Sequence, residues 1–188
     1  MKTDAHLISI LRELSRDAEE VDGGEVEDLV GAIKDAPRVF VAGAGRSGFA
    51  ARAFANRLAH TGIPTYFVGE PTTPPITKGD LLVVGSGSGQ TASLVSMVTK
   101  AHSMGARVGT LTIHPENEIG RIADYVVKIP GVTAKTGDET KSRPPSIQMT
   151  GSSFEQLSWL IYDSIIISVR DATKQSNEDL FARHANLE

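Results

Sequence analysis

Cysteine is absent from the 188-residue sequence. That excludes disulfides, thiolate nucleophiles, iron–sulfur ligation and cysteine-based zinc sites, and it accords with a reducing cytosol. Long apolar runs are missing too, and nothing approaches the roughly 18 uninterrupted apolar residues of a membrane span. The N-terminus lacks a basic stretch followed by an apolar run, because Arg12, Glu13, Arg16 and Asp17 interrupt it, so no targeting signal is read there. The expectation is a soluble cytoplasmic protein with no membrane partner. An excess of positive charge is also wanting. The 19 basic and 23 acidic side chains leave a net charge of −4, a poor basis for binding nucleic acid. The imbalance is local, with 10 acidic and 4 basic residues over 1–37 against 13 and 15 over 38–188.

The remaining composition is ordinary for a globular chain, 40% apolar with 18 glycines. A charged fraction of 22% excludes wholesale disorder. The length suits one domain with a core of its own. Leu7, Leu11, Leu14, Ala18 and Val21 form a helical stripe. Asp22-Gly-Gly24 ends it, and a second helix is expected from about 25 to 35. The texture then changes to short apolar runs at 38–42, 65–68, 80–84, 107–112 and 125–129, separated by helical stretches. Strands alternating with helices predict a parallel sheet covered on both faces. The fold class is α/β, a three-layer α/β/α sandwich around a five-stranded parallel sheet. The expected layout is a single domain over 1–188. Helices occupy 1–36, the sheet core 37–130, a polar loop 131–151 and the C-terminal helices 152–188. The loop is long enough to be read as a lid.

Two glycine-rich turns follow apolar runs and open helices: Gly-Ala-Gly-Arg-Ser-Gly at 43–48 and Ser-Gly-Ser-Gly-Gln-Thr at 86–91. Gly43 and Gly85 lie 42 residues apart, so the units are tandem strand–turn–helix repeats. In an open parallel sheet, the carboxyl ends of the strands are where ligands bind. Helix amides and dipoles attract an anion there. Ser47, Ser86, Ser88 and Thr91 offer hydroxyls, Gly87 and Gly89 offer close backbone approach, and Arg46 offers a positive charge. Alternatively, small residues merely permit tight turns and good N-caps. Gly43, Gly45 and Gly48 also match the spacing of a dinucleotide fingerprint, with Glu70 near the place of its ribose-binding acid. That reading leaves the hydroxyl-rich second turn without a role. Ser152 and Glu155 have the spacing of a capping box. Among the histidines, His6, His102 and His114 read as solvated. His60 closes a helix and suits its dipole, and His184 sits on an amphipathic tail. Trp159 and Tyr162 read as core or interface. No His and carboxylate pair has convincing metal-ligand spacing.

Taken together, these motifs resemble the sugar isomerase (SIS) domain family over nearly the whole chain. Within it, the 6-phospho-3-hexuloisomerase branch is similar in five stretches. These are Gly-Ala-Gly-Arg-Ser-Gly-Phe (43–49), Arg-Leu-Ala-His-Thr-Gly (57–62), Val-Gly-Glu (68–70), Phe-Glu-Gln (154–156) and the closing Arg-His-Ala-Asn-Leu-Glu (183–188). Where that branch often has Gln-Pro-Met-Gly before its glutamate, this chain reads Gln148-Met-Thr-Gly151. The resemblance implies a metal-free and cofactor-free interconversion of D-arabino-3-hexulose 6-phosphate and D-fructose 6-phosphate in the ribulose monophosphate pathway. It implies Glu155 as the catalytic glutamate, His60 as an active-site acid and His184 as a histidine reaching a neighbouring subunit's site. Phosphate falls to Ser47, Ser86, Ser88 and Thr91, with Arg46, Gly87 and Gly89 around it. It also implies a homo-oligomer, dimer or tetramer, with sites at subunit boundaries, and hexulose-6-phosphate synthase as a functional partner. Two alternatives remain at this point, a non-catalytic sugar-phosphate-binding module and a nucleotide-binding protein.

Overall fold

The computed structural model describes residues 4–132 and 146–187. Two helices lead the chain, α1 (Ala5–Ala18) and α2 (Gly23–Asp35). Each starts on an aspartate whose carboxylate accepts from first-turn amides, Asp4 from Leu7 and Asp22 from Gly24 and Glu25. Such caps satisfy donors that the helix itself leaves without partners. Asp22-Gly-Gly24, expected to end the first helix, therefore begins the second, because the aspartate reaches forward over its two glycines.

The strands are β1 (Val39–Gly43), β2 (Thr65–Phe67), β3 (Leu81–Gly85), β4 (Arg107–Thr112) and β5 (Tyr125–Lys128). All pair in parallel, in the order β2-β1-β3-β4-β5. Between them run α3 (Gly45–His60), α4 (Ala92–Ser103) and the short α5 (Glu118–Ile122). After the sheet come α6 (Ser152–Ala172) and α7 (Asn177–Phe181). The C-terminal helices, expected over 152–188, end with α7 at Phe181. Most of the loop expected over 131–151, residues 133–145, lies outside the described residues.

Successive side chains of a strand point to opposite faces. Val39, Val41, Leu81 and Val83 enter one core, with Leu29 and Ile33 of α2, Phe54 and Leu58 of α3, and Phe154 and Ile165 of α6. Phe40, Ala42, Leu82 and Val84 enter the other, with Leu94 and Val98 of α4 and Ile119 of α5. Burial on both faces is why these strands read as continuous apolar runs. The expected α/β/α sandwich with a five-stranded parallel sheet is the fold observed.

The strand order creates the site. From β1 the chain moves outward through α3 to β2, and from β3 it moves the opposite way through α4 to β4. Crossovers of one hand running in opposite directions put their helices on opposite faces. The turns after β1 and β3 therefore diverge and leave a crevice at the strand ends. Register places Gly43 beside Gly85, so the 42-residue offset in sequence becomes adjacency in space.

A charged tie secures the opposite ends of the same two strands. Arg38 Nε and Nη2 donate to the carboxylate of Asp80 at 3.0 and 2.6 Å, and the Thr77 amide donates at 2.7 Å. Burial works to raise the Asp80 pKa. The hydrogen bonds from Arg38 and Thr77 outweigh it and leave the carboxyl below its ordinary 3.8. A folded-state pKa depressed in this way stabilises the fold above the unfolded value, and the contribution drains as pH falls through the lower one. Asp80→Asn should lower the melting temperature at pH 7, with the gap to wild type closing as pH drops below 3.8. Equal melting at pH 7 would refute the tie.

Candidate active site

The first turn is shaped by packing. A Cβ on Gly43 would lie 2.8 Å from the Gly48 Cα, so α3 can start this close to β1 only if both residues lack side chains. The spacing shared with a dinucleotide fingerprint thus has a local steric cause. Glu70, at the place of a ribose-binding acid, pairs instead with Arg52 of α3. The Arg52 guanidinium in turn lies 4.2 Å from the Phe67 ring centre.

A cleft of about 250 Å³ opens between the turns after β1 and β3 and the start of α6. Arg46, Ser47, Ser86, Gly87, Ser88, Thr91 and Glu155, all singled out in the sequence, line it together. So do Ala44, Thr91 and Gly151, the residues that precede α3, α4 and α6. Among the described residues, no side chain caps any of these three helices. Away from the cleft, α1, α2 and α7 are capped by Asp4, Asp22 and Ser176, while the short α5 starts at Asn117 without a side-chain cap bond. Three sets of first-turn amides and three dipoles therefore converge on one hollow, an arrangement that suits an anion. Thr91 occupies an N-cap position without capping, which leaves its hydroxyl for a ligand. The Ser86 hydroxyl is buried and has no partner among the described residues. A buried donor left in that state costs about 1–3 kcal/mol, a debt that an oxyanion in the cleft would cancel.

Glu155 sits at the rim, its side chain 18% exposed. The capping box expected of Ser152 and Glu155 does not form, because the chain enters α6 through Gly151 in a left-handed conformation at φ 92°. That conformation moves the cap position back by one residue. The Glu155 carboxylate turns to Arg46 instead, whose Nε donates to it. One charged side chain from α3 and one from α6 thus meet across the cleft. Two turns further along α6, Tyr162 is fully buried and stacks on Phe54 with ring centres 4.4 Å apart. A Cβ on Gly85 would fall 2.8 Å from its hydroxyl, so Tyr162 supports the cradle from beneath. Burial pushes its phenol pKa up. The only sequence signal for this role is the glycine opposite it.

Gly89, His60 and His184 do not line the cleft. Gly89 turns away from it, at φ +62° against Asn117 and the His114 carbonyl. His60 and His184 lie together, ring centres 5.0 Å apart. Arg183 donates to the His60 carbonyl at 3.0 Å, and Gln175 to the Thr61 carbonyl at 2.9 Å, which docks the tail on the end of α3. Because α3 is 16 residues long, its two ends are about 22 Å apart at 1.5 Å per residue. The histidine pair is thus a helix length from its own chain's cleft. Burial, then Arg57 and His184, hold the His60 pKa below its ordinary 6.5, which favours the neutral ring. His114, expected to be solvated, is 2% exposed, and its Nδ1 lies 3.0 Å from Glu116. Packing of the segment after β4 against the second turn encloses it.

Beside Arg46 and Glu155 lies an apolar groove of about 520 Å³, lined by Leu11, Leu14, Phe49, Trp159 and Leu160 among others. Phe49 is 70% exposed, Leu160 52% and Trp159 47%. Among the described residues no three His, Asp or Glu side chains cluster as a metal site would, and no helix is long and apolar enough to cross a membrane.

The SIS domain model matches residues 32–154. Over 188 residues the chain is 41% identical to the 3-hexulose-6-phosphate isomerase of Bacillus subtilis (strain 168), covering 100% of both. It is 40% identical over 182 residues to the 3-hexulose-6-phosphate isomerase of Mycobacterium gastri, covering 96% of this chain and 89% of that one. A crystal structure from Methanococcus jannaschii, said to infer a molecular function of 3-hexulose-6-phosphate isomerase, superposes with a TM-score of 0.82 at 27% identity. The superposition covers 97% of this chain and 99% of that one. The resemblance carried by the two glycine-rich turns is therefore borne out along the full sequence, and the chain belongs to the SIS domain family.

Proposed function

We propose that this chain is a 3-hexulose-6-phosphate isomerase and that the cleft between the two glycine-rich turns is its active site. The observation that carries the site assignment is the convergence of three uncapped helix N-termini and one carboxylate in a single hollow. The full-length identity to relatives of that name supports the substrate. In this reading the amides of α3 and α4 hold the C6 phosphate with Ser47, Ser86, Ser88 and Thr91. Arg46 orients Glu155 toward the carbons being rearranged.

The reaction moves a carbonyl from C3 to C2. Glu155 removes the C2 proton while O3 gains a proton, which gives a C2–C3 enediol. Glu155 then returns its proton to C3 as O2 loses one and the C2 carbonyl forms. Nothing is oxidised overall and no atom is lost, so one carboxylate placed between the two carbons serves both carbon transfers. The oxygen transfers need a second group, and we assign them to His60 or His184. Since that pair stands a helix length from its own cleft, it serves a neighbouring subunit. The exposed Phe49, Trp159 and Leu160 beside the cleft support association there, as contiguous apolar patches do. The homo-oligomer is a dimer or tetramer. The enzyme acts in the ribulose monophosphate pathway on the product of hexulose-6-phosphate synthase.

A coupled assay for fructose 6-phosphate formed from the 3-hexulose 6-phosphate tests the activity. Binding of fructose 6-phosphate without turnover would reduce the chain to a sugar-phosphate sensor. The phosphate cradle has its own test. Ser88→Ala should weaken fructose 6-phosphate binding by about 10- to 150-fold, the cost of one hydrogen bond to a charged group. Unchanged affinity in both Ser88→Ala and Thr91→Ala would remove the second turn from the site.

A further inference from the structure

The second glycine-rich turn is held from behind. Within it, the Gly89 amide donates to the Ser86 carbonyl at 3.1 Å and closes a tight turn. The three carbonyls at its apex, of Gly87, Ser88 and Gly89, all accept from one neighbouring segment, residues 112–119 at the end of β4 and the start of α5. The Ile113 amide donates to Gly87 at 3.1 Å, the Ile119 amide to Gly89 at 3.1 Å, and Asn117 Nδ2 to Ser88 at 2.9 Å. Backbone amides at two of these contacts are available to almost any sequence. The middle contact depends on a side chain.

Asn117 occupies the N-cap position of α5, where asparagine ordinarily accepts from a first-turn amide. Here it makes no cap bond and donates to a carbonyl 29 residues away in sequence. Gly89 packs against it, since a Cβ there would lie 3.2 Å from the Asn117 Cβ. In a trans peptide the C=O and the following N–H point in opposite directions. Fixing the Ser88 carbonyl therefore fixes the Gly89 N–H, which is the donor that closes the turn on Ser86. Ser86 and Ser88 both line the cleft, and their spacing depends on that closure. A Ser88 carbonyl free to rotate into the cleft would place a partial negative charge against an anion.

We propose that Asn117 is a positioning residue for the phosphate ester, because it holds the Ser88–Gly89 peptide so that both serines face the ligand. This rests on the phosphate reading of the cleft. Two substitutions separate positioning from plain stability. Asn117→Ser retains a favoured N-cap but has a shorter reach. Asn117→Asp keeps the shape and, ionised, can only accept. Titration with fructose 6-phosphate, and inhibition by inorganic phosphate, should both show affinity weakened about 3- to 10-fold in each variant, as loss of one ordinary hydrogen bond would give. The change should fall on KM more than on kcat, while Asn117→Ser should lower the melting temperature only modestly, as loss of one partly buried hydrogen bond would. Wild-type affinities in both variants, with or without a lower melting temperature, would overturn the positioning role. The Ser88→Ala control keeps the two ideas apart. If it weakens binding while the Asn117 variants do not, only the role of Asn117 falls. If neither weakens it, the phosphate reading falls too.

Discussion

Glu155→Gln should fold like the wild type, bind fructose 6-phosphate with near-normal affinity, and turn over about 10²–10⁴-fold more slowly, the range expected for loss of a general base. The structure removes the main confounding effect. Glu155 does not cap α6, which starts from Gly151 without a side-chain cap, so the substitution takes no cap bond away. A glutamine carbonyl can still accept from Arg46 Nε, as the carboxylate does. It cannot carry a proton from one carbon to the next. Exchange of solvent deuterium into C2 and C3 should disappear together with turnover. A cap would behave differently, losing on the order of 1 kcal/mol of stability while the rate stayed near normal. Near-wild-type kcat in a folded Glu155→Gln protein would move the base to another residue.

The second large effect is expected from mixing subunits. His184→Ala should be nearly inactive by itself, because it removes a group proposed for the oxygen transfers in a neighbouring cleft. Exchange of Glu155→Gln subunits with His184→Ala subunits should then restore activity. In a mixed two-fold dimer one cleft combines the intact glutamate of one chain with the intact histidine of the other, so recovery should approach about one quarter of wild type. The geometry behind this expectation is the length of α3. Arg46 stands at its start and His60 at its end, with His184 beside His60. No rotation of a side chain spans the roughly 22 Å between them. Failure to recover after verified exchange would place both groups on the same chain's site or leave His184 to packing alone. A monomer by light scattering would end the shared-site reading directly.

Melting temperature measured against pH bears on the same pair. His60 is held neutral below its usual range, chiefly by burial. Stability contributed by the neutral ring is complete above 6.5 and drains as pH falls from there toward the lower folded-state value. Loosening of the tail should accompany that decline.

Much of the architecture is legible in the linear sequence because it rests on local properties. Val39–Gly43 and Leu81–Gly85 are apolar runs ended by glycines, and a run buried on both faces carries that signature wherever it packs. The paired turns at 43–48 and 86–91 show a sheet edge suited to an anion, because amide exposure and hydroxyl content are properties of a few consecutive residues. What each side chain meets is decided elsewhere. Ser152 and Glu155 have capping-box spacing, yet the left-handed Gly151 shifts the helix start, and Arg46, 109 residues earlier in sequence, takes the carboxylate. His114 looks solvated until the segment after β4 closes over it. His60 and Glu155 both look like site residues, and only the direction of α3 shows that they stand at opposite ends of the same layer. Asn117 has the position of a helix cap, and its partner on the second glycine-rich turn emerges only when β3 and β4 pair. A pattern read along the chain captures which face a residue presents. Strand order and helix packing, set by burial of the whole core, decide which other face it meets.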